Sequence, residues 1–107
     1  MRVLLDNNVD RRFARLLVGH EVVRARQAGW ADLYNGDLIA AAEIAGFAVL
    51  ITADKNLRYQ QNLKDRTISI ITLNSILVDF PGIQPLAPQV LAALENLPQG
   101  SFVTITP

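Results

Sequence analysis

The sequence predicts an α/β fold: a mainly parallel central sheet with helices on both faces, formed by one domain over residues 1–107. Three observations carry this. Short apolar runs such as VLL, FAVLIT and TISIITL recur along the chain, as strands buried on both faces do. Stretches of helical period lie between them. That alternation specifies right-handed βαβ units and a parallel sheet.

Residues 2 to 6, RVLLD, read as the first strand. Asn7 and Asn8 follow as helix-cap candidates, with Asp10 completing a pattern like a capping box. Val9, Phe13, Leu16 and Leu17 recur at helical spacing, and Gly19 supplies a stop. His20 to Ala25 forms a second strand, and Gln27 to Tyr34 a loop holding the only Trp. Asn35-Gly36-Asp37 opens a second helix that Gly46 closes. Phe47 to Thr52 is the third strand, and a helix from Lys55 to Leu63 follows Asp54. Thr67 to Leu73 is the fourth strand.

Residues 81 to 88 carry three of the five prolines and read as a loop, with Pro88 suited to a first helical turn. Val90, Leu91, Leu94 and Leu97 make a last amphipathic helix closed by Pro98. Phe102 to Thr106 alternates with Thr as an edge strand does. The expected strand order is 2-1-3-4, with the fifth strand beyond the fourth and its direction, parallel or antiparallel, left open.

Composition narrows the chemistry. There is no Cys, which excludes disulfides, thiolate metal sites and Cys nucleophiles and fits a reducing compartment, so cytoplasmic is the expected location. MRVLLDNN has too short an apolar run for a secretory signal. The apolar stretch from Leu38 to Ala53 is broken by Glu43 and Gly46 and is shorter than the ~20 residues of a membrane span. Ten basic residues balance ten acidic ones, so nucleic-acid binding would depend on local charge. Arg11, Arg12 and Arg15 cluster early, Arg24 and Arg26 follow, and Lys55, Arg58, Lys64 and Arg66 form a second group, whereas no Lys or Arg occurs from Thr67 onward.

Asp6, Asp37 and Asp54 stand where strands end or helices begin. In a parallel sheet such positions share one edge, where ligands bind. With neighbouring strands about 4.8 Å apart, Asp6 and Asp54 would face one another across the switch point, overhung by Asp37. Two carboxylates about 4 Å apart repel by about 4 kcal/mol at a protein surface. A hard divalent cation removes that repulsion while keeping waters and accepting a phosphate oxygen. Such an ion activates water and stabilises charge on a phosphodiester. Lys55, Arg58 and Arg11 are the candidate phosphate contacts. The plainer reading of each acid taken alone is a helix cap; their shared edge, beside Asn7, Asn56 and Asn74, favours a site. His20 lies at the far end and reads as structural.

In RVLLDNNV, GHEVVRARQAGW, NGDLIAAAEIAGF and TADKNLRYQQNL, covering residues 1 to about 75, the chain resembles the PIN-like domain family, specifically small stand-alone proteins related to VapC-type toxins. The resemblance implies a three-layer nuclease-like fold, Mg²⁺ or Mn²⁺ as cofactor and RNA as substrate. Asp6 matches the acid ending the first strand, Asp37 the acid opening the middle helix, and Asp54 the acid of the motif Thr52-Ala53-Asp54. The chain departs from the pattern at Asn56 and Asn74, where further acids are usual. A small DNA-binding antitoxin as partner, and pairing into a homodimer, are also implied.

The sequence therefore points first to a metal-dependent ribonuclease, the toxin half of a toxin-antitoxin pair. Asp6, Asp37 and Asp54 would be its catalytic and metal-binding acids, with Asn7 and Asn56 behind them. The alternative is a catalytically silent module of the same fold that binds a protein partner or RNA. A phosphoacceptor domain ranks below both: Asp6 is followed by asparagines, and the C-terminal third holds no Lys.

Overall fold

A computed structural model of the protein describes residues 1–56 and 66–107. The five strands are β1 (Arg2–Leu5), β2 (Glu21–Arg24), β3 (Val49–Thr52), β4 (Ser69–Leu73) and β5 (Phe102–Ile105). They form one sheet in the order β2-β1-β3-β4-β5. Every neighbouring pair is parallel. The fifth strand thus joins in the parallel sense. Helices intervene between β4 and β5, and such a crossover returns the chain in the direction of the strand it left.

Strand alternation splits the apolar residues between two faces. Val3 and Leu5 of β1, Val49 and Ile51 of β3, and Ile71 and Leu73 of β4 join Phe13, Leu17, Ile83, Leu86, Val90 and Leu94 in one buried cluster. Leu4, Leu50 and Ile70 join Leu38, Ile39 and Ala42 in the other. The first face is covered by the 3-10 turn Arg11–Leu16 and by α2 (Phe80–Ile83) and α3 (Ala87–Glu95), the second by α1 (Asn35–Ile44). A sheet covered on both sides explains why β3 and β4 are buried at every position.

Three local expectations change. The first helix is reduced to the 3-10 turn Arg11–Leu16, and Asn7 and Asn8 do not cap it, their side chains going to distant backbone and hydroxyl groups. Asp10 caps the turn, accepting from the Arg12 N–H and chelating its guanidinium. Residues 81 to 88 are helical: α2, a 3-10 turn Gln84–Leu86 and the start of α3 run on from one another. Each begins with a proline in its first turn, where no backbone donor is needed. The expected helix from Lys55 to Leu63 lies largely outside the described residues.

The edge where the strands begin is tied down by charge. Arg2 pairs with Glu21, bonds to the Ala45 carbonyl and lies over the Phe47 ring. Glu43 of α1 accepts from Arg66, from the Thr67 N–H and hydroxyl, and from the Ile68 N–H, docking the entry to β4. Burial pushes the Glu43 carboxyl up, but these bonds outweigh it and hold the group below its ordinary value. Among the described residues, no helix is long and apolar enough to cross a membrane.

Candidate active site

The opposite edge, where the strands end, carries the polar side chains. Asp6 is the first residue after β1, and its N–H still donates to Ile51 of β3 across the sheet. One carboxylate oxygen, Oδ1, accepts from the Asn7 N–H at 2.7 Å. The other, Oδ2, accepts from the buried Thr52 hydroxyl at 2.8 Å. Burial raises the pKa of Asp6 above the ordinary carboxylate value, the hydrogen bonds from Thr52 and Asn7 oppose that rise, and the charge of Asp54 adds to it. The two acids that end β1 and follow β3 are therefore electrostatically coupled, as the strand order requires.

Asp54 is joined to Asp6 through one atom. Its N–H donates to Thr52 Oγ1 at 3.0 Å, the same oxygen that donates to Asp6. Its own Oδ1 accepts from the Asn56 N–H at 3.0 Å, closing a turn at residues 54–56; the helix this acid is expected to cap lies largely outside the described residues. Asn56 takes part through its backbone, and it and Lys55 are exposed. Asn7 reaches the other way, Nδ2 donating to the Trp30 and Ala31 carbonyls, which draws the loop before α1 against the end of β1.

Asp37 sits exposed in the first turn of α1, on the side where the strands end. It does not line the cleft beside Asp6. Among the described residues, no three His, Asp or Glu side chains gather as a metal-binding group. Asn74 follows β4, and its Nδ2 donates to the hydroxyl of Thr106, just after β5. His20 lies before β2 at the other edge, its Nδ1 buried without a hydrogen-bond partner among the described residues.

A cleft of about 560 Å³ opens beside Asp6. Asn7, Asn8, Val9, Asp10 and Val78 line it together with Arg11, Arg12, Arg24 and Arg26. Arg12 is neutralised by Asp10, which the guanidinium holds down to a pKa of about 2. Arg11, Arg24 and Arg26 have no ion-pair partner among the described residues. Positive charge is thus concentrated against the carboxyl end of the sheet in a protein of zero formal charge.

Of the basic residues proposed from sequence, Arg11 lines this cleft, Lys55 does not, and Arg58 lies outside the described residues. Arg24 and Arg26 were not singled out as substrate contacts. Their signal was the strand order itself: Arg24 ends β2 opposite Leu5, one residue before Asp6. The fold and site define a parallel α/β protein with a basic cleft and a coupled pair of acids at the carboxyl edge of its sheet. Compared with family models, curated proteins and solved structures, the chain gives no match.

Proposed function

We propose that this protein is a metal-dependent ribonuclease of the PIN-like kind, acting as the toxin of a toxin-antitoxin pair. The observation that carries the reading is the partly buried Asp6 carboxylate, coupled to Asp54, at the mouth of a cleft lined by four arginines. A phosphodiester chain fits the arginines, and a cation fits the acids.

The donor set suits a hydrated Mg²⁺ or Mn²⁺. Each oxygen of Asp6 accepts one protein hydrogen bond, and a carboxylate offers about four lone-pair sites. Asp54 uses Oδ1 for Asn56, and its Oδ2 accepts no hydrogen bond among the described residues. Such ions bind through one or two carboxylates, filling the remaining positions with water and substrate phosphate. Asp6 and Asp54 would hold the ion, and Asp37, at the start of α1 but not lining the cleft, would act on it or on the attacking water only through intervening water. When bound, the ion supplies water activation and neutralises charge at the phosphate. The chain's own residues do the rest: Arg11, Arg24 and Arg26 hold backbone phosphates, while Thr52 and the Asn7 N–H fix the Asp6 carboxylate.

The test is cleavage of RNA in Mg²⁺ or Mn²⁺ by the wild type, Asp6→Asn and Asp54→Asn. Removing a metal-holding acid should lower the rate by about 100-fold, the upper end of what even residues behind the ligands contribute, and expression of the wild type alone should arrest growth while Asp6→Asn does not. Equal cleavage by all three proteins would assign the activity to a contaminant. A cytoplasmic location, a small DNA-binding antitoxin as partner and pairing into a homodimer belong to the same reading. Two observations favour the binding-only alternative: Asp54 already accepts from the Asn56 N–H, and no three acids gather among the described residues. That module would bind RNA or a protein partner without metal and cleave nothing.

A further inference from the structure

The hydrogen bonds around Thr52 leave its hydroxyl no freedom. The Ala53 N–H can only donate, so its 3.0 Å bond to Asn8 identifies that end of the carboxamide as Oδ1. The other end, Nδ2, then donates to Thr52 Oγ1 at 3.3 Å. The Asp54 N–H donates to the same oxygen at 3.0 Å. A hydroxyl has two acceptor positions and one proton. With both acceptor positions filled, the proton has two directions open, toward Asn8 Oδ1 at 3.5 Å and Asp6 Oδ2 at 2.8 Å. The shorter bond, to a carboxylate, prevails.

We propose that Asn8 is a positioning residue of this site: its carboxamide locks the Thr52 hydroxyl into donating to Asp6 and braces Ala53, from which Asp54 hangs. One side chain from the end of β1 thereby holds the end of β3, and both acids keep a fixed relation. Thr52 is fully buried, so water does not compete for its hydroxyl. The catalytic consequence rests on the nuclease reading, whereas the hydroxyl lock is a property of the metal-free protein.

Two measurements separate the inference from that reading. In the metal-free protein, nuclear magnetic resonance should show the Thr52 hydroxyl proton in slow exchange with water, and Asn8→Ala should abolish that signal. Should Asn8→Ala fail to fold, Asn8→Asp keeps an acceptor for Ala53 but cannot donate to Thr52, so one acceptor position of the hydroxyl is left empty and its proton should exchange with water faster than in the wild type. A protected hydroxyl that still faces Asp6 in these variants, or none in the wild type, overturns the inference. Mn²⁺ binding is then followed by calorimetry. Residues that orient metal ligands typically contribute 10- to 100-fold in affinity. Asn8→Ala and Thr52→Val should each weaken binding by about tenfold, with the double variant no weaker than either; losses that multiply would mean Asn8 does not act through Thr52. A wild type with the locked hydroxyl but no affinity for Mn²⁺ would refute the nuclease reading and leave the lock standing.

Discussion

Asp6 is held in an environment that opposes its own charge. Burial and the neighbouring Asp54 raise its pKa, and two hydrogen bonds only partly offset them. For a carboxyl whose folded value is raised, the stabilisation is present below the unfolded value of 3.8 and is lost as pH rises through the folded value. Asp6→Asn should therefore unfold a few degrees above the wild type at pH 7, and the gap should close as pH falls below about 4. Thermal unfolding followed by circular dichroism across that range checks this. A variant less stable at neutral pH would mean that the hydrogen bonds, rather than desolvation, dominate.

At the level of elements, the chain before α2 packs against Gly82 of that helix too closely for a side chain at residue 82. Asp79 caps α2 by accepting from the Gly82 N–H, and Ser75 donates to the Gly82 carbonyl. A Cβ at Gly82 would run into the backbone of Leu77. Gly82→Ala should destabilise the protein by about 1–3 kcal/mol, the usual range for overpacking, as denaturant midpoints would report; an unchanged midpoint would show that the segment yields. Val78, on this same segment, lines the cleft, so the variant should also disturb binding there. Here the sequence misled because prolines mark either loops or first turns. Pro81, Pro85 and Pro88 are all of the second kind.

Across the whole molecule, zero formal charge hides a local cluster of arginines in the cleft beside Asp6. If Arg24 and Arg26 each hold a phosphate, the double Ala variant should weaken RNA binding and lower its salt dependence by about 0.7 in log-log slope per contact. Fluorescence anisotropy at several salt concentrations measures this, with thermal unfolding as the control. An unchanged slope would remove these two residues from the RNA path.

Strand order, the central place of β1 and β3, and the pairing of Asp6 with Asp54 were legible because continuous apolar runs can be satisfied only inside a sheet covered on both faces. The sequence by itself determined which residues end those strands. Tertiary structure decided what each does there. Asn7 and Asn8 look like local caps, yet their partners are Trp30, Ala31, Thr52 and Ala53, and no local pattern encodes a hydrogen bond to a group more than twenty residues away. Arg24 reaches the cleft through its register with Leu5, and Asp37 stays outside because helix packing, not sequence spacing, sets how far a first turn stands from the strand ends.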